Sequence, residues 1–157
     1  MQPVMTLEPM RAEHLDFAFR CLGELRGEAR FSLDDWTEYV RQNGLIGHPQ
    51  TGIWIGVVSG EPVGLLVSNR FAMPQYLGFG YSLDGVVVPP GFQRKGYGEQ
   101  MLRAFLAQAK QDRRVRKVVV KTDDPLCAGR LYEKLFAKTG MTVYAAGNHR
   151  LSEPGAE

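Results

Sequence analysis

The sequence predicts an α/β domain, a mixed sheet with helices on both of its faces, and three observations carry that expectation. Strand-like and helix-like segments succeed one another in the order β-α-α-β-β-β-α-β-α-β. The run Val118-Val119-Val120 is apolar at every position, as a central or parallel strand covered on both faces should be. Two longer segments carry apolar residues at helical spacing, so each offers one stripe to a sheet.

The elements follow in order. Residues 4–7 read as a short first strand. Residues 11–25 place Leu15, Ala18, Phe19, Leu22 and Leu25 on one face, which predicts an amphipathic helix. A polar break at residues 26–30 follows, and Ser32 with Asp35 three residues later opens a second helix carrying Trp36, Tyr39 and Val40. That helix stops near Asn43-Gly44. Residues 53–58 and 62–68 are strand-like, and the turn Ser59-Gly60-Glu61 joins them as a hairpin. A Gly- and aromatic-rich stretch, 71–81, leads into a strand over 82–88. Residues 98–112 form a strong amphipathic helix with Met101, Leu102, Phe105, Leu106 and Ala109 as its stripe, and residues 115–121 the strand after it. Asp124-Pro125 opens another helix, Asp as N-cap and Pro at the first helical position. Strands over 141–145 and 149–151 close the sheet.

Length and composition set bounds on function. A chain of 157 residues fits one domain with a real core, here residues 1–151 with a tail over 152–157. The net charge of +2 is too small to argue for a nucleic-acid or membrane partner. The basic run Arg113-Arg114-Val115-Arg116-Lys117 reads as a solvated helix end, with no aromatic-basic interleaving or recognition motif beside it. Cys21 and Cys127 make no disulfide framework and read as small buried hydrophobes. The three histidines are scattered, so no metal site is expected. Nothing resembles a signal segment or a membrane span, which makes a soluble, cytoplasmic protein the expectation.

The chemistry centres on one loop. Val86-Val87-Val88-Pro89-Pro90-Gly91-Phe92-Gln93-Arg94-Lys95-Gly96-Tyr97-Gly98-Glu99 reads as strand, loop and helix start. A helix start directs unpaired N–H groups and the positive end of its dipole outward, and glycines let an anion approach. Arg94 and Lys95 add charge at the rim. A dinucleotide fingerprint would need glycine where Met101 stands, and a P-loop would need Gly-Lys-Ser or Gly-Lys-Thr. Gln-x-x-Gly-x-Gly remains, either an anion cradle or a tight loop whose glycines serve turn geometry.

This motif resembles the acyl-CoA-binding loop of the GCN5-related N-acetyltransferase (GNAT) family. Further along, Leu131-Tyr132-Glu133-Lys134 resembles that family's helix in which a tyrosine stands beside the thioester sulfur. The resemblance is specific from Asp84 to Leu135 and architectural before that. Two departures accompany it. Pro125 stands where the family often carries a cofactor-contacting asparagine, leaving Asp124 as the candidate, and the usual Gly-Phe after Leu135 is absent.

The resemblance implies an acyl-CoA N-acyltransferase fold, its sheet mostly antiparallel, and transfer of an acetyl group from acetyl-CoA to an amine, with no metal. It implies that Gln93, Arg94, Lys95, Gly96, Tyr97, Gly98, Glu99 and Asp124 hold the cofactor. It also implies that the strand Val86, Val87 and Val88 splays from residues 118–120 to free backbone groups for the pantetheine arm. Tyr132 becomes the candidate general acid, with Asp84 and Glu28 as alternative bases or recognition groups for the amine. Arg30, Phe31, Arg70, Tyr76 and Tyr81 are expected around an acceptor pocket for a small-molecule or peptide amine. A non-catalytic acyl-CoA-binding module and transfer of a longer acyl group are the competing readings. A homodimer is compatible with the sequence and not demanded by it.

Overall fold

The computed structural model describes residues 3–25, 30–121 and 125–136, with side chains of the last segment from Arg130 onward. Its elements are β1 (Met5–Pro9), α1 (Leu15–Gly23), α2 (Leu33–Gln42), β2 (Thr51–Val58), β3 (Glu61–Met73), β4 (Gly78–Val87), α3 (Tyr97–Gln111), β5 (Val115–Val120) and α4 (Pro125–Leu135). Short 3-10 turns at Ala12–His14 and Pro74–Tyr76 precede α1 and join β3 to β4.

The five strands lie in one sheet in the order β1-β2-β3-β4-β5. The first three pairings are antiparallel, and β4 pairs with β5 in parallel. The mixed, mostly antiparallel sheet with helices on both faces is therefore as expected. Side-chain alternation divides the core in two. Ile53, Ile55, Val57, Leu65 and Val87 pack with Ala18 and Cys21 of α1 and with Trp36 and Val40 of α2. On the other face, Leu7, Leu66 and Leu83 pack with Met101, Leu102, Phe105 and Ala109 of α3, and Leu131, Tyr132 and Leu135 of α4 join them. Met101 comes down on two glycines: a Cβ on Gly64 would lie 2.6 Å from its Cε, and one on Gly56 2.9 Å from its Sδ. Small residues at these strand positions let α3 seat against the sheet.

Several boundaries differ from expectation. Residues 71–81 are largely strand: β3 runs on to Met73 and β4 begins at Gly78, so the Gly- and aromatic-rich stretch is the tip of a long hairpin. Its register places Phe71 opposite Gly80 and Ala72 opposite Phe79, an aromatic beside a small residue that period alone does not reveal. The helix expected over 11–25 is shorter, because the 3-10 turn precedes α1 and the helix ends at Gly23. The basic run is not a helix end: α3 stops at Gln111, and Val115, Arg116 and Lys117 belong to β5. The capping box on α2 is as read, with Ser32 Oγ accepting from the Asp35 N–H at 3.0 Å and Asp35 accepting from the Ser32 N–H at 2.9 Å. Residues 26–29 with Glu28, the position of Asp124, the closing strands over 141–145 and 149–151 and the tail all lie outside the described residues.

Candidate active site

Two features of β4 shape its C-terminal end. Gly85 pairs with Val67 and Leu83 with Ser68, so Asp84 is the extra residue of a β-bulge. On the other side, β5 pairs with β4 only from Phe79 to Leu83. Residues 84–87 therefore have no β5 partner. The structure gives another reason than the expected splay: residues 118–120 pair with Tyr81, Ser82 and Leu83, and β5 ends at Val120.

Beyond β4 the chain turns tightly, with the Phe92 N–H donating to the Pro89 carbonyl at 3.1 Å. Gly91, Arg94 and Gly96 all take positive φ, at 93°, 65° and 78°. Gly96 is the N-cap of α3 and has no side chain to cap it, so the first N–H groups of the helix face outward. At this residue the left-handed backbone makes glycine the natural choice. Gln93 is structural as well as exposed: its Nε2 donates to the Val88 carbonyl at 2.9 Å and ties the loop to the strand end.

A cavity of about 460 Å³ opens over this loop, lined by Val88, Phe92, Gln93, Arg94, Gly96, Tyr97, Gly98 and Glu99 and closed from α4 by Arg130, Leu131 and Lys134. A second, of about 550 Å³, is lined by Glu24 and Leu25 from the end of α1, by Val86, Val87 and Val88, and by Leu131 and Tyr132. Both include Val88, Gln93, Arg94, Gly98 and Leu131, so they meet. Gly98 is at the junction: a Cβ there would lie 3.7 Å from Leu131 and 3.9 Å from Val88. The first cavity faces a helix N-terminus and carries Arg94, Arg130 and Lys134 beside Glu99. The second adds Glu24, Tyr132 and the apolar Leu25, Val86 and Val87, at the end of β4 beyond its last β5 pair.

Charge around the first cavity is arranged unevenly. Lys134 Nζ lies 3.0 Å from Glu99 Oε1, and Arg103 Nη2 3.2 Å from the same oxygen. The Lys134 hydrogen bond, aided by Arg103, holds the Glu99 carboxyl below the usual glutamate range. Arg94 and Arg130 line the cavity without an ion pair to any described residue. Tyr132 packs edge-on to Phe136, ring centres 6.4 Å apart, and burial pushes its hydroxyl above the ordinary tyrosine range.

Most expected site residues thus come together, with exceptions. Lys95 and Asp84 line neither cavity, Asp84 standing two residues before Val86 of the second. The Asp84 carboxylate accepts from Asn69 Nδ2 at 2.5 Å and from Ser82 Oγ at 2.7 Å. Arg70, Tyr76 and Tyr81 do not surround the groove. Arg70 stacks on Phe79 at 4.7 Å, Tyr81 packs on Phe105 at 5.2 Å, and Tyr76 is at the far hairpin tip. Sequence reading missed Arg130 and Lys134, although their spacing of four on a predicted helix, flanking Tyr132, was the available signal. It also missed Leu25, which only the folded chain brings over Gly85, 2.7 Å from where a Cβ would stand.

Among the described residues no cluster could hold a metal ion, and no helix is long and apolar enough to cross a membrane. The profile of the Acetyltransferase (GNAT) family matches residues 12–137. The comparison with curated proteins finds no match. Solved structures do match. A possible acetyltransferase from Clostridium difficile 630 superposes with TM-score 0.73 at 15% identity, over 91% of this chain and 98% of that one. A ribosomal-protein-alanine N-acetyltransferase from Brucella melitensis biovar Abortus 2308 gives TM-score 0.73 at 16% identity, over 92% and 99%. An aminoglycoside N-acetyltransferase in complex with CoA gives 0.71 at 14%, over 94% and 97%. Identities this low speak for the fold, and the profile speaks for descent. The chain belongs to the GNAT acetyltransferase family.

Proposed function

We propose that the protein is an acetyl-CoA-dependent N-acetyltransferase acting on the primary amine of a small molecule or peptide. The observation that carries this reading is the junction of the two cavities at Val88, Gln93, Arg94, Gly98 and Leu131. The residues fit the co-substrate's chemistry from end to end. Uncapped N–H groups at the start of α3, with Arg94 and Arg130, suit a pyrophosphate. The unpaired edge of Val86 and Val87 suits an amide-bearing arm that needs backbone partners. The solved relative that holds CoA is in accord with this assignment.

Acetyl-CoA supplies an activated acetyl group. The residues of this chain then have two proton tasks. Tyr132, kept protonated by burial, gives its hydroxyl proton to the departing thiolate sulfur. Asp84, an exposed carboxylate two residues before Val86, takes the proton that the amine nitrogen loses, directly or through water. A backbone N–H of Val87 or Val88 polarises the acetyl carbonyl, with Leu25 and Leu131 among the side chains lining the same cavity. Glu28 is the second carboxylate for the same task.

The test is binding first and turnover second. Acetyl-CoA at one hundred times its Kd should stabilise the fold by about 2.7 kcal/mol, raising Tm by roughly 5–10 °C. The absence of any rise at millimolar acetyl-CoA sinks the cofactor assignment. A panel of kanamycin, spermidine, lysine and a peptide with a free N-terminus, followed by release of free thiol, then identifies the acceptor class. Binding without turnover across such amines favours the acyl-CoA-binding module instead.

A further inference from the structure

On the α1 and α2 side of the sheet, one row is apolar (Ile53, Val67, Gly85) and the next is polar (Thr51, Asn69, Ser82). The polar row is not needed to hold the strands, whose backbones already pair. Its hydrogen bonds all run one way. Thr51 Oγ1 donates to Asn69 Oδ1 at 2.8 Å, Asn69 Nδ2 donates to Asp84 Oδ2 at 2.5 Å, and Ser82 Oγ donates to Asp84 Oδ1 at 2.7 Å. A carboxylate only accepts, so it requires the NH₂ side of Asn69 to face it, and the Thr51 hydroxyl satisfies the amide oxygen left behind. Turned over, Asn69 would set an oxygen against an oxygen. Asp84 meanwhile occupies the bulge, where a strand re-aims its side chain, and Leu25 covers the neighbouring Gly85 at the edge of the second cavity.

From this arrangement we propose that Asn69 is a positioning residue, oriented by Thr51, that aims the Asp84 carboxylate at the acceptor amine. The inference rests on the reading of Asp84 as the acceptor-side carboxylate. Each carboxylate oxygen is engaged by one neutral donor and keeps lone-pair capacity for a further one. What the row presents is thus an anion held in direction, suited to an amine that arrives as a cation. Thr51 and Asn69 touch no reacting atom; their effect passes through Asp84.

The experiment uses the full chain with acetyl-CoA and the fastest amine of kanamycin, spermidine, lysine and the peptide. Asn69→Leu, Thr51→Val and Asp84→Asn are compared singly, and Asn69→Leu is also combined with Asp84→Asn. Asn69→Leu should lower kcat/KM for the amine by about 10- to 100-fold, as misaimed groups do, while KM for acetyl-CoA stays within about twofold. Thr51→Val, an isosteric change at the far end of the row, should show the same split with a smaller loss. Added to Asp84→Asn, Asn69→Leu should cost almost nothing more, because its effect travels through that carboxylate. A full further loss in the double variant, or a parallel fall in both kinetic constants and Tm, overturns the proposal in favour of a structural role. If Asn69→Leu does not fold, Thr51→Val alone and with Asp84→Asn carries the same comparison. If Asp84→Asn is fully active, or no amine is acetylated, the reading of Asp84 fails first and this inference falls with it. If Asp84→Asn is impaired and Asn69→Leu is not, only this inference falls.

Discussion

Tyr132 lines the second cavity and Asp84 stands two residues before its Val86, and the settings of the two titratable groups differ. Tyr132 lies partly buried against Phe136, its hydroxyl makes no hydrogen bond to a described residue, and burial alone raises it. A phenol held above its ordinary value near 10 keeps its proton across the neutral range, which suits a donor and not a base. Asp84 is exposed and fastened by two donors. At the residue scale the first prediction concerns Tyr132→Phe. It removes one oxygen and leaves the ring contact, so kcat should fall about a hundredfold or more, the usual worth of a general acid. KM for acetyl-CoA should hardly move, because the ring still lines the cavity. The wild-type rate should show no loss attributable to Tyr132 until the pH passes the ordinary tyrosine value. Unchanged turnover in the Phe variant would remove Tyr132 from the chemistry and leave it a packing residue.

At the scale of elements, α3 and α4 meet across the first cavity through Lys134 and Glu99. Such a pair at the surface, Lys134 exposed and Glu99 half-buried, contributes little to stability, but it ties α3 to the helix that carries Arg130, Leu131 and Tyr132. Lys134→Met should therefore leave Tm nearly unchanged and raise KM for acetyl-CoA several-fold. The same rise should appear in Glu99→Gln if the pair acts as a strut. A rise in Lys134→Met alone would instead identify Lys134 as a direct partner of the bound anion. This scale also explains what was legible beforehand. The loop from Gln93 to Gly98 and the stripe of α3 are local patterns, written within a dozen residues, and both stand where expected. The Thr51, Asn69 and Asp84 row joins residues 18 and 15 positions apart, so it exists only once register is set. The β3–β4 hairpin was hidden for a related reason. Glycines that weaken a strand's local signal become assets when Phe71 lies over Gly80, and that pairing is long-range.

At the scale of the whole molecule, one sheet serves two cores, and Cys21 lies at the centre of the one under α1, fully buried. Burial pushes its thiol up from 9.0 to about 11. The sign of the consequence is fixed by linkage. Between those values the unfolded chain has lost the thiol proton and the folded chain still holds it. The folded state then binds more protons, so stability must fall as pH rises through that window, and the loss is complete once the folded thiol also ionises. Tyr132, raised in the same direction, adds to the decline just above the ordinary tyrosine value. Stability measured by urea unfolding should accordingly be flat with respect to Cys21 below pH 9 and slope downward above it. Cys21→Ala separates this contribution from the other groups that titrate there. The variant should be less stable at pH 8, because it leaves a small cavity, but its curve should descend less steeply, and the gap from wild type should narrow towards pH 11. Parallel curves would mean that the thiol ionises as readily in the fold as out of it, and that the core under α1 admits water where the structure has it closed.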